Sequence, residues 1–312
     1  LIGITLFWWV FRGTDISDLK KELGRVRWFW VGLSLLLNLV SQYVRAIRWR
    51  LLFTPMRYHP RTVNLFLANI VLAFTNQVIP RGGEIARLGV VHKTDRVPFA
   101  KLFGTALVER LTDFVILMLI FISLVIWQFE RFQKILQLPQ INPGEMDLQR
   151  ILLIVAITLV ALALGWFIVR RFRLLDKMQE KIRKIKADIR EGFTSILHIR
   201  HKGWYFLLSV GVYGIWLFML YVLFFALPAT TGLSFAAAAF TFGLATLAFL
   251  LPIQAGMGAW HFVVIQCLLL FGVEAEAGKA FSLIAHATTN LVHLVFGAIA
   301  FGILALINRK GN

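Results

Sequence analysis

Apolar positions gather into runs longer than a soluble core helix needs. Residues 28–53, 103–129, 151–169, 204–227 and 281–307 are predominantly apolar, and a helix needs roughly 20 such residues to cross the hydrocarbon core of a bilayer. Each run therefore predicts a spanning helix. Residues 1–11 are too short alone; they read as the remainder of a first span whose start is missing, and no small-residue cleavage site follows to suggest a signal peptide. Two more apolar stretches, 62–91 and 235–271, are interrupted in the middle, at Pro80, Gly82 and Gly83 and at Pro252, Gly256 and Gly258. Such breaks predict helix pairs meeting inside the membrane, re-entrant hairpins or kinked ordinary ones. Between 171 and 202 the pattern changes. Leu175, Met178, Ile182, Ile185, Ile189, Phe193 and Ile196 recur at steps of three and four, which predicts an amphipathic helix with a basic opposite face. It is expected on the inner leaflet or packed on another part of the protein.

The expected fold class is all-α. It is a polytopic membrane helical bundle forming a single transmembrane domain over 1–312, with repeat-like halves at 28–170 and 204–307. Composition agrees: 59% of the 312 residues are hydrophobic and 16% charged, unlike an ordinary soluble domain. The formal charge of +17 would suit nucleic acid, but the basic residues cluster in loops between spans. That pattern reports membrane topology, so nucleic acid is not expected as a partner and anionic lipid headgroups are. Residues 170–202 hold eleven Lys or Arg against four acidic residues, which places this loop in the cytoplasm. Counting spans outward from it puts both termini inside and makes the two broken hairpins enter from opposite faces. One discord is the 12–27 segment, which falls outside despite five basic residues diluted by three acidic ones. Paired interruptions in two halves point to an inverted-repeat transporter with a binding site between them.

Polar residues at membrane depth are costly, by roughly 2.5 to 3.5 kcal/mol for a central charge, and call for a partner, a cavity or a function. Three groups stand out. Asn76, Gln77, Arg81, Gly82, Gly83, Glu84 and Arg87 lie at the first break. There the glycines would leave amides free at a helix N-terminus and the arginines would add charge, a combination suited to phosphate. Glu84 would orient an arginine, couple to a proton or complement the helix dipole. Glu109, Arg110 and Asp113 form the second group. The two carboxylates, four apart, share a helix face and are expected to pair with arginines of the first hairpin or with Arg45 and Arg48, structurally or functionally. In the third group, Gln254, Trp260 and His261 lie at and after the second break with its Gly256 and Gly258, and His286, Asn290 and His293 share one face of the last span. They would line a cavity or hydrogen-bond between helices. Neither a zinc motif nor a disulfide is expected, since the chain has no HExxH and the single cysteine is Cys267.

Four ordered motifs carry a resemblance. They are Tyr43-Val44-Arg45-Ala46-Ile47-Arg48-Trp49-Arg50-Leu51-Leu52; Asn76 with Pro80-Arg81-Gly82-Gly83-Glu84 and Arg87; Val108-Glu109-Arg110-Leu111-Thr112-Asp113; and Pro252 with Gly256-Met257-Gly258. In these the chain resembles the lysylphosphatidylglycerol synthase transmembrane-region family, also called flippase-like domain proteins. The resemblance implies a bacterial or archaeal cytoplasmic-membrane protein handling a lipid, with Pro80, Gly83, Glu84, Arg87, Glu109, Arg110 and Asp113 in its polar core. The chain departs from the family at Gln254-Ala255-Gly256 and at His261, where relatives often carry a Pro-Gly pair and an acidic residue. The chain ends at Asn312 without a following aminoacyl-transferase domain, so transport or assistance is expected rather than synthesis. The leading expectation is thus a flippase for an anionic, phosphate-bearing lipid, of phospholipid, aminoacyl-phospholipid or polyprenyl-phosphate type, with no cofactor and no catalytic residue. Self-association or a partner lipid synthase is also expected. Two alternatives are a non-transporting scaffold for a lipid or cell-envelope synthase and an intramembrane lipid transferase or hydrolase using Glu84, Glu109 or His286 as base.

Overall fold

The computed structural model describes residues 2–14, 16–79, 82–129, 131, 179–248 and 256–310. The expected span at 151–169, together with Arg81 and Gln254, lies outside the described residues. Every regular element described is helical. The chain begins with α1 (Ile2–Phe11) and α2 (Ile16–Gly24) and continues through α3 (Trp28–Leu51), a 3₁₀ turn (Thr54–Met56), α4 (Thr62–Val78), α5 (Gly83–Asp95) and α6 (Phe99–Trp127). It resumes with α7 (Gln179–His198), α8 (Lys202–Phe224), α9 (Phe235–Leu247), α10 (Ala259–Leu270) and α11 (Ala275–Lys310). Among the described residues α3, α6, α8 and α11 are long and apolar enough to cross a membrane, and each coincides with an expected span. The protein is an all-α membrane helical bundle.

Both interrupted stretches form helix pairs. α4 packs on α5, and α9 packs on α10. With 17, 13, 13 and 12 residues, all four helices fall short of the roughly 20 a straight span requires. Local chemistry sets their ends. Asp95 accepts hydrogen bonds from the Arg61 amide and the Asn64 side chain, at 3.0 and 3.1 Å, and so ties the start of α4 to the end of α5. Ser234 caps α9 by accepting from the Ala237 amide at 3.3 Å. Pro98 sits at the N-cap of α6, where its missing N–H costs nothing.

Two apolar clusters hold the helices. One joins Trp49, Leu52 and Phe53 of α3 and its end to Leu65 and Ala68 of α4, Leu88 and Val91 of α5, Leu102 of α6 and Tyr205 of α8. The other gathers Tyr213 and Phe224 of α8 with Ala237 and Phe242 of α9, Trp260 and Val264 of α10 and Phe281 and Ile284 of α11. Close approach in lipid relies on small residues. A Cβ at Gly297 of α11 would run into the Phe74 ring of α4, and one at Gly104 of α6 into the Ile189 carbonyl of α7.

That last contact settles how the amphipathic helix sits. α7 docks on α6 with Gly104 against Gly192. A Lys101–Glu191 ion pair at 2.9 Å closes the contact. Its apolar face is only partly covered, since Ile185, Phe193 and Leu197 stay exposed.

Candidate functional site

The polar core is assembled where α3, α5 and α6 meet. Arg48 projects from α3 and is 1% exposed; one guanidinium nitrogen lies 3.0 Å from Glu109 and another 2.7 Å from Asp113. The four-residue spacing of the two carboxylates on α6 presents both to one guanidinium. Arg87 of α5, also 1% exposed, reaches Glu109 at 2.8 Å and Glu84 at 3.0 Å. It donates as well to Asn69 of α4 at 3.3 Å and stacks over Trp49, its central carbon 4.3 Å from the ring. Arg110 pairs with Glu84 and stands 4.0 Å from Asp113. Trp49 itself is held by its indole N–H, which donates to Thr105 at 3.0 Å. Glu109, 2% exposed, thus bridges Arg48 and Arg87 and locks three helices together. Charges removed from water this completely persist only when paired and hydrogen-bonded.

Arg45 is different. One turn before Arg48 on α3 and 8% exposed, it donates to the side chain of Gln42 at 3.0 Å and lies 6.0 Å from the Trp216 ring of α8. Among the described residues no carboxylate forms an ion pair with it. Among the described residues, the cluster sets the four guanidinium groups of Arg45, Arg48, Arg87 and Arg110 against the three carboxylates of Glu84, Glu109 and Asp113, a surplus of one positive charge, and Arg45 is the guanidinium without a direct ion pair.

The first break is less open than its sequence suggests. The Gly83 amide donates to the Asn76 side chain at 2.9 Å and the Gly82 amide to the Ile79 carbonyl at 3.0 Å. A Cβ at Gly83 would also collide with the Leu72 carbonyl. Gly83 is there to let α5 approach α4, and these two amides are engaged instead of free for phosphate. Arg87, expected beside a ligand, is committed to two carboxylates.

A second polar group lies on the other helices. Gln77 of α4 donates to Asn290 of α11 at 2.9 Å and stands 3.4 Å from His293. Asn290 is 2.8 Å from His286, whose ring centroid is 4.4 Å from that of His261 on α10. His261 is buried and accepts from the Gly258 amide at 3.3 Å. Positive φ at Gly256 (68°) and Gly258 (82°) requires glycine at these turns. A Cβ at Gly258 would strike Leu6 and Phe7 of α1. His293 lies within electrostatic reach of Arg45, which connects this group to the arginine cluster.

Sequence reasoning passed over Asn69, which holds Arg87, and a stripe of buried polar residues on α3: Ser34, Asn38, Ser41 and Gln42. Their spacing of four, three and one, continued by Arg45 and Arg48, repeats the helical period within an otherwise apolar span, and that was the available signal.

The profile of the family described as the lysylphosphatidylglycerol synthase TM region matches residues 1–297. The chain belongs to this family. Among relatives, this member of the lysylphosphatidylglycerol synthase TM region family is 28% identical over 87 residues to a UPF0104 membrane protein of Methanocaldococcus jannaschii. The matched segment spans 27% of this chain and 26% of that relative. No solved structure matches the chain.

Proposed function

We propose that this protein moves an anionic, phosphate-bearing lipid across the cytoplasmic membrane, with Arg45 holding the headgroup. The observation that carries this reading is the surplus charge: Arg45 is buried and, among the described residues, has no direct ion-pair partner, while its neighbours Arg48 and Arg87 are paired. A buried guanidinium without a direct ion-pair partner is costly, and a phosphate offers it both charge compensation and bidentate acceptor geometry. The basic ends of α3 and α5 face the cytoplasm in this reading, and the protein acts as a transporter without changing its substrate chemically. Self-association or a lipid synthase as partner fits the same reading.

The test is native mass spectrometry of detergent-purified protein carrying phosphatidylglycerol. Wild type is expected to retain the anionic lipid, Arg45→Met to lose it and Arg45→Lys to keep part of it. Retention of phosphatidylglycerol by Arg45→Met at the wild-type level would overturn the assignment.

A further inference from the structure

The surplus charge lies toward one end of α3, and a headgroup bound there has still to reach the other membrane face. From Arg45 toward the N-terminal end of α3, Ser41, Asn38 and Ser34 follow at steps of four, three and four on the same side of the helix. All three are buried, with exposures of 0%, 3% and 0%. The rise from Arg45 to Ser34 is about 17 Å at 1.5 Å per residue, more than half of a hydrocarbon core of roughly 30 Å.

Two of these groups are not consumed by packing. The Asn38 side-chain oxygen and the Ser34 hydroxyl are fully enclosed, and neither has a hydrogen-bond partner among the described residues. Buried polar atoms in native structures are nearly always satisfied, so two orphans one turn apart on one face require an explanation. A serine in a helix usually returns its hydroxyl to a carbonyl one turn back. Ser41 does so, donating to Asn38 at 2.7 Å, whereas Ser34 does not. Trp216 of α8 covers the stripe at its start, donating from its indole N–H to the Ser41 hydroxyl at 3.1 Å and lying over Arg45.

We infer that Ser41, Asn38 and Ser34 form a polar track on α3 along which the lipid headgroup passes between Arg45 and the far membrane face, with Trp216 as the side chain that covers it. The inference rests on the transport reading above. Asn38 offers a donor amide to phosphate oxygens and an acceptor to headgroup hydroxyls, and Ser34 does the same one turn further on. Movement of Trp216 away from Ser41 exposes the track. In the described conformation the contact between α3 and α8 closes it, and the two orphaned groups wait for a partner that packing does not supply.

The experiment uses vesicles containing the full protein and phosphatidylglycerol fluorescently labelled on an acyl chain, with transfer between leaflets read by chemical quenching of the outer leaflet. Asn38→Leu removes an unsatisfied group and fills its volume. If Asn38 were merely structural, this change would leave the protein as stable or more so, and as active. The track predicts an unchanged or higher melting temperature, unchanged retention of phosphatidylglycerol at Arg45, and transfer slowed about tenfold, the worth of one hydrogen bond to the passing headgroup. Asn38→Ser keeps a donor and acceptor and restores most of the rate. Should Asn38→Leu fail to fold, Asn38→Ala and Ser34→Ala, which only remove atoms, decide by the same readout. Wild-type transfer rates in the apolar variants overturn the track and leave the Arg45 site standing. A wild-type protein that transfers no lipid overturns the transport reading and the track with it.

Discussion

Arg48 gives one arm of its guanidinium to Glu109 and another to Asp113; Glu109 shares its charge with Arg87 as well, whereas Asp113 has Arg110 only at 4.0 Å. Removing it leaves buried carboxylates short of positive charge, and breaking a buried pair from one side costs about 3 to 5 kcal/mol. Arg48→Met is therefore expected to lower stability by that amount, read by denaturation in detergent, whereas Arg45→Met, which orphans no directly paired carboxylate, is expected to be tolerated. Much of this cluster could be read from the chain. Two acidic residues four apart in an apolar span announce a pair of basic partners, and both expected sources, Arg48 on α3 and Arg87 on α5, supply them. Which arginine would be left over could not be read. That depends on the distances at which α3, α5 and α6 settle, and spacing along one helix carries no information about them. Asn38 and Asn69 were missed because a single amide in an apolar run looks like noise until its burial and its partners are known.

At the scale of elements, the interruptions at Pro80 and Pro252 were enough to predict two helix pairs, because proline inside an apolar run breaks the helix that would otherwise continue through it. The amphipathic period of α7 was equally plain, but a period only declares that one face is apolar, not what covers it. The decision lies in Gly104 and Gly192, whose missing side chains allow two backbones to touch. Gly192→Leu is expected to lift α7 from α6 and to accelerate tryptic cleavage at Arg183, Lys184, Lys186 and Arg190, measured by the appearance of fragments. Glu191→Gln breaks only the half-exposed ion pair with Lys101 and is expected to change stability by less than about 1 kcal/mol.

For the whole molecule, ligand linkage makes the surplus charge measurable without transport. A ligand that binds the folded state at a hundred times its Kd stabilises by about 2.7 kcal/mol. Phosphatidylglycerol is accordingly expected to raise the melting temperature of wild type and to leave Arg45→Met unmoved; a zwitterionic lipid should move neither. The bridging position of Glu109 carries a further consequence, for assembly. Arg48 is followed by its carboxylate partners only 61 and 65 residues later, so during synthesis α3 enters the bilayer before the helix that neutralises it exists. Until α6 arrives, its arginines do best near the headgroup layer, where long side chains can keep their charged ends hydrated. The order of synthesis thus makes the helix carrying Glu109 the one that completes the pairing of Arg48, and Glu109→Leu is expected to lower the yield of folded, membrane-inserted protein, read by expression level and detergent-resistant monomer.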